Sequence, residues 1–183
     1  MSLGVYLIKA PNSNNDPDFD ENCQAFFKDV SQGFGEDLFI TDEQTFVKQS
    51  THVFFVASGG SEQQFKKIYN LIEGPYYLLT RQSHNSLAAA MEILTFLREK
   101  GLKGEIIHGE NESVGKKLAR IVRVREVKER LKNYRLGTTG ESDWLIASRV
   151  DQDVLKASSG MEMVDLSFEE LLSEVKKNTY PEN

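Results

Sequence analysis

The sequence predicts a three-layer α/β fold, built on a doubly wound and mostly parallel sheet. Short apolar runs of strand length recur from end to end of the 183 residues. Each is followed by a longer stretch whose apolar residues return at helical spacing. Between them lie turns rich in Gly, Pro, Ser and Asn, placed where a strand hands over to a helix. Alternation of this kind calls for crossovers between parallel strands, with helices on both faces. No repeat, low-complexity tract or linker interrupts the pattern, so residues 1–183 read as one domain of ordinary size.

Each element has its own signal. Val5 to Ile8 reads as the first strand and Phe19 to Val30 as a helix. Leu38 to Ile40 is a short candidate strand. His52 to Ala57 is a buried strand that ends in the turn Ser58-Gly59-Gly60-Ser61. Gln63 to Ile72 follows as a helix with Phe65, Ile68, Tyr69 and Ile72 on one face, and Gly74-Pro75 ends it. Tyr76 to Thr80 is the next strand. The helix from Ser86 to Lys100 repeats Leu87, Ala90, Met91, Leu94 and Leu97 at spacings of three and four, and Gly101 stands where a left-handed helix end belongs. Gly104 to His108 is a strand, then a helix runs from Ser113 to Lys132 with an apolar stripe of Val114, Leu118, Ile121, Val124, Val127 and Leu131. Tyr134 to Thr138 and Met161 to Leu166 are the last strands, around a short helix from Asp151 to Ser158. Ser167 and Glu170 have capping-box spacing at the start of the final helix. The whole is of the Rossmann/flavodoxin-like kind, in which ligands meet the loops at the carboxyl ends of the strands.

Composition narrows the classes of function. With 28 acidic against 22 basic side chains, the net charge of −6 disfavours nonspecific binding to nucleic acid. Cys23 is the only cysteine, which excludes an intrachain disulfide or a Cys-rich zinc site. No apolar run reaches the roughly 18 residues of a membrane span. The first apolar stretch is short and followed at once by Lys9, unlike a secretory leader, so a cytoplasmic address is expected. The basic residues between Lys116 and Lys132 are interrupted by Glu126 and Glu129 and lack interleaved aromatics. They read as a solvated face or a subunit contact, and neither a nucleic-acid nor a membrane partner is expected.

Three loops carry the candidate site residues. Gly59, Gly60 and Ser61 join a strand to a helix, where free N–H groups attract anions. They lack the spacing of a dinucleotide or P-loop fingerprint, and the alternative is a tight turn with Ser61 capping the helix. Thr80 to Ser86 is dense in hydrogen-bonding groups, and His84 has the chemistry of an acid or base near neutral pH. Either Asn85 or Ser86 can serve as a helix cap, which leaves Arg81 and His84 without a structural role. Gly137 to Ser148 holds two glycines, Ser142 and the only Trp, Trp144. Aromatic surface beside fixed polar groups suits a sugar, and the alternative packs Trp144 and Leu145 onto the core. The three histidines show no metal-ligand spacing, and no serine or cysteine nucleophile motif is present. No catalytic residue is assigned.

Three ordered segments together are specific. Asn85, Ser86, Leu87, Ala89 and Glu92, within Tyr76 to Leu94, resemble an Asn-Ser-Leu-x-Ala-x-x-Glu pattern of the L-fucose and L-arabinose isomerases. Gly104 to Gly109 is similar to that family's strand into an Ile-x-His-Gly turn. Arg135 to Ser148 resembles its Gly-x-x-Gly-x-x-Ser-x-Trp-Leu-x-x-Ser segment. The resemblance covers residues 76 to 148. It implies a Rossmann-like N-terminal domain that shapes the sugar pocket and makes subunit contacts in a homo-oligomer. It also implies that the Mn²⁺ site and the isomerisation chemistry belong to later domains, so no cofactor is expected in this chain and Mn²⁺ only if those domains are present. The expected function is therefore a substrate-pocket and oligomerisation domain that is not catalytic by itself. Arg81, His84, Asn85, Ser142 and Trp144 are the residues expected near a small-molecule sugar. The alternative is a stand-alone module that binds a sugar or sugar phosphate.

Overall fold

The computed structural model describes residues 3–15, 17–140, 146–147 and 151–179. The chain divides into two compact units, residues 1–123 and 124–183. In the first, β1 (Leu3–Ile8), β2 (Thr51–Val56), β3 (Tyr76–Thr80) and β4 (Gly104–Ile107) form a four-stranded sheet in that order, every pair parallel. The helices are α1 (Phe19–Phe34), α2 (Glu43–Lys48), α3 (Glu62–Ile68), α4 (Ser86–Glu99) and α5 (Asn111–Leu131), the last crossing the boundary between the units. The α/β, doubly wound architecture expected from the sequence is what forms.

Strand alternation sorts the core into two layers. Val53, Phe55 and Ala57 of β2 and its end point to one face, where Phe27 and Val30 of α1 and Val114 and Leu118 of α5 cover them. Phe54 and Val56 point to the other, against Phe46 of α2, Phe65 of α3 and Ala90, Ile93 and Leu97 of α4. Because β2 is central and covered on both sides, its run Val53-Phe-Phe-Val56 is apolar throughout rather than alternating. Aromatic rings fill much of both layers, with Phe55 stacked on Phe26 at 5.2 Å and edge-on to Phe27 at 4.9 Å.

The expected strand at Leu38 to Ile40 is reduced to one parallel bridge between Ile40 and Val5, on the open side of β1. Thr41 reinforces it, its backbone N–H donating to the Val5 carbonyl at 2.8 Å. Counting that segment as a strand gives the flavodoxin-like order 2-1-3-4-5. The switch point of such a sheet lies between β1 and β2, whose following helices, α1 and α3, go to opposite faces.

Several boundaries and faces differ from the sequence expectation. The helix after β2 gives way at Tyr69–Leu71 to a 3-10 turn, and α2 is an additional helix capped by Asp42. In α4 the buried stripe is Ala89, Ala90, Ile93 and Leu97, while Met91 is 58% exposed. Two adjacent stripes share nearly the same period, and the sheet chose the one with smaller residues at its N-terminal end. In α5 the buried stripe is Val114, Gly115, Leu118 and Val122, with Val124 and Val127 exposed. At Gly33 and Gly115, α1 and α5 meet backbone to backbone: a Cβ built on Gly115 would lie 2.2 Å from the Val30 carbonyl oxygen.

The second unit pairs β5 (Arg135–Thr139) with β6 (Glu162–Leu166) in parallel, joined through α6 (Gln152–Ser159) and followed by α7 (Phe168–Lys177). The expected capping box is present: the Glu170 N–H donates to Ser167 Oγ and the Ser167 N–H donates to Glu170 Oε2. The sequence expectation of one sheet from end to end is thus replaced, among the described residues, by a four-stranded and a two-stranded sheet. Alternation predicts strands but not partners, because pairing is decided by contacts distant in sequence. Among the described residues, no helix is long and apolar enough to cross a membrane.

Candidate functional site

Loops at the carboxyl ends of β1, β2 and β3 are bound to one another by short polar links. Ser58 Oγ accepts from the Ala10 N–H at 2.9 Å and lies 3.1 Å from Ser13 Oγ, so hydroxyls bridge the switch point. Ser86 Oγ accepts from the Arg81 N–H at 3.0 Å and donates to the Val56 carbonyl. The Gly59 N–H donates to the His84 carbonyl at 2.7 Å. Glycine at 59 eases that approach, since a Cβ there would meet the Asn85 Cβ at 3.0 Å.

The expected anion cradle after β2 takes a different form. The Gly59 N–H is engaged by His84, and the Gly60 N–H faces Glu62 Oε1 at 3.4 Å. Ser61 is fully buried and makes no side-chain cap; its hydroxyl donates to the Ser58 carbonyl at 2.7 Å. Neither Asn85 nor Ser86 caps α4 through its side chain. Asn85 holds the N-cap position in the left-handed conformation, and Ser86 ties β3 to β2 instead. His84 and Asn85 have φ of 58° and 54°, two consecutive non-glycine residues in a region that costs about 1–2 kcal/mol each, less for Asn. The Gly59 bond and the edge contact of His84 with Phe19, at 5.5 Å, hold them there.

Beside that loop opens a cleft of about 520 Å³. Asn22, Phe26 and Asp29 of α1 line it together with Arg81 to His84 and with Glu110 and Asn111. Arg81 is only 4% exposed: its Nε donates to the Ala57 carbonyl at 2.9 Å and its guanidinium stacks on Phe19, 4.6 Å from the ring centre. Asn111 Nδ2 donates to Asp29 Oδ2 at 3.1 Å, a link made possible by the close crossing of α1 and α5. His84 Nδ1 lies 2.9 Å from Ser83 Oγ. At the outer edge of the sheet, Thr80 Oγ1 is 2.7 Å from His108 Nδ1.

Of the residues expected at a site, Arg81 and His84 line the cleft and Asn85 adjoins it. Gly59 holds its loop through the bond to the His84 carbonyl, whereas the contacts of Gly60 and Ser61 are with Ala10, Glu62 and Ser58. Ser142 and Trp144 lie outside the described residues. Sequence reasoning missed Asn22, Asp29, Glu110 and Asn111. Glu110 ends the β4-to-α5 loop and Asn111 opens α5, the right place for a site, but they carry no motif. Asn22, Phe26 and Asp29 share a helix face by spacing, which only the placement of α1 makes meaningful.

Burial pushes the Cys23 thiol, behind this wall, above its ordinary range; Arg81 and Lys9 pull it down and Asp20 adds to the rise. Among the described residues no three His, Cys, Asp or Glu side chains gather as a metal site. Along α5 the basic residues are interleaved with partners: Lys116 pairs with Glu112, Lys117 with Glu105 and Lys132 with Glu129. No family model and no curated protein matches the chain.

Proposed function

We propose that the chain is the N-terminal substrate-pocket and oligomerisation domain of an L-fucose/L-arabinose isomerase-like protein. In this reading it is cytoplasmic, homo-oligomeric and not catalytic by itself. The cleft carries the proposal. Two carboxylates, three carboxamides, a hydroxyl and an imidazole converge beside an aromatic ring at the carboxyl ends of parallel strands. Paired acceptors and donors of this kind suit the hydroxyls of a sugar, and the mostly buried Phe26 adds apolar lining beside them.

A panel of pentoses and deoxyhexoses titrated calorimetrically into the 183-residue protein tests it. Binding of L-arabinose or L-fucose that weakens about tenfold in Asp29→Asn supports the reading, since the carboxylate is a strong acceptor. Silence across the panel removes it. Isomerisation by this chain with added Mn²⁺ removes the non-catalytic part, and a monomer by light scattering at working concentration removes the oligomer. A second reading, a stand-alone sugar or sugar-phosphate binding module, is favoured by one observation: every residue lining the cleft belongs to the first unit.

A further inference from the structure

We propose that the groove between α3 and α4 holds helix α7 of a second copy of this chain, and that two copies exchange α7 reciprocally. The inference rests on the homo-oligomeric part of the reading above and names the surfaces that meet.

The helix is amphipathic, yet none of its residues is buried. Phe168, Leu171, Leu172 and Val175 recur at spacings of three and four and form one stripe. Phe168 and Val175 are 63% and 64% exposed. A stripe of this kind gains free energy only when another surface covers it. Its charges are sorted along the axis, with Glu169 and Glu170 in the first turn and Lys176 and Lys177 in the last.

The groove has the complementary pattern. Helices α3 and α4 follow neighbouring parallel strands and pack on the same face of the sheet, so they run side by side in one direction. A cavity of about 150 Å³ opens between them, with Phe65, Ile93 and Phe96 among its lining. An apolar cavity of about that volume holds a benzene molecule, so one leucine side chain fits. Toward the C-terminal ends of the two helices, Tyr69 and Phe96 meet edge-on at 5.2 Å. Lys100 Nζ lies 5.1 Å from the centre of the Phe96 ring and Lys66 Nζ lies 6.0 Å from it. An aromatic face attracts a cation without neutralising it. Among the described residues neither lysine makes an ion pair. Glu62 and Glu92 line the cavity toward the N-terminal ends, and Glu62 takes only a long bond, 3.4 Å, from the Gly60 N–H.

Charge sets the direction of the docked helix. Laid antiparallel to α3 and α4, it brings Glu169 and Glu170 to Lys66 and Lys100, and Lys176 and Lys177 to Glu62 and Glu92. The parallel placement would set like charges together at both ends. The spans agree as well: Glu169 to Lys176 covers about 10 Å of helix rise, and Glu92 to Lys100 about 12 Å. Phe168 then meets the Tyr69 and Phe96 rings, and Leu172, one turn further on, lies over the cavity. One chain carries both halves of the contact, so a reciprocal exchange closes at two copies.

Sedimentation equilibrium of the full chain tests this, and a dimer is expected. Leu172→Ser should raise its dissociation constant about tenfold or more, with unchanged circular dichroism because the side chain is not buried within its own chain. Lys100→Glu should weaken the dimer by a similar factor, and adding Glu169→Lys to the same chain should restore it to within about threefold. Chains carrying Gln63→Cys, mixed with chains carrying Val175→Cys, should be joined into a covalent heterodimer by a short bismaleimide; Cys23 is buried and does not compete. A dimer indifferent to Leu172→Ser and Lys100→Glu, or one that yields no mixed cross-link, overturns this inference and leaves the homo-oligomer standing. A loss in Lys100→Glu that Glu169→Lys does not restore overturns the antiparallel docking. A monomer at working concentration overturns this inference and the homo-oligomeric reading together.

Discussion

Gly115→Ala puts a methyl group into the tightest helix crossing of the first unit. The added Cβ would lie 2.2 Å from the Val30 carbonyl oxygen, 2.5 Å from the Phe34 nitrogen and 2.7 Å from the Gly33 carbonyl carbon. Ordinary contact begins near 3.4 Å, and all three atoms are backbone, so no side chain can swing away. The two helices must part by about 1 Å, a gap that forfeits a quarter to a half of each dispersion contact it opens. Overpacking of this kind costs about 3 kcal/mol, the upper end of the usual range. Alanine's better helix propensity returns about 1 kcal/mol. The expected net loss is about 2 kcal/mol, or roughly 4–8 °C in melting temperature for a chain of this size. Urea denaturation followed by circular dichroism measures it. The same displacement draws Asn111 from Asp29, so the sugar binding proposed for the cleft should weaken in parallel. Gly101→Ala is the control, with no atom within 4 Å of its Cβ and a φ of +70°. It should cost only the left-handed strain, about 1 kcal/mol. A Gly115→Ala protein as stable as the parent would refute the idea that backbone proximity sets the packing of α1 on α5.

Ser86→Ala leaves the Arg81 N–H and the Val56 carbonyl without their shared hydroxyl in a buried place, and should destabilise by about 3 kcal/mol in urea titration. A loss under about 0.5 kcal/mol would mean that the hydroxyl does not hold β3 to β2. The thiol of Cys23 predicts an alkaline limb. Burial raises the folded-state pKa above its ordinary value of 9.0, so on raising the pH the unfolded chain loses this proton first. Its contribution to stability is complete below that value and falls as pH rises past it, until the folded thiol ionises too. Cys23→Ser should flatten the drop in urea midpoint between about pH 8 and pH 10, where thiols titrate. An unchanged slope would show that the thiol ionises equally in both states.

The sequence by itself determined the alternation of strands and helices, the two-faced burial of the Val53 to Val56 run, and the capping box at Ser167. Each follows from a pattern confined to neighbouring residues: apolar periodicity, a turn residue, or a cap at fixed spacing. It also pointed to the loop holding Arg81 and His84, because polar groups crowded between a strand and a helix lack a local use. Tertiary structure alone decided which strands pair, which of two stripes α4 and α5 bury, and that Ser86 bridges strands instead of capping. Those outcomes depend on groups far apart in the chain, such as Ser86 with Val56 or Gly115 with Val30. The cleft is the clearest case. Asp29 and Asn111 are unremarkable in sequence, 82 residues apart, and face one another only because two glycines let α1 and α5 touch.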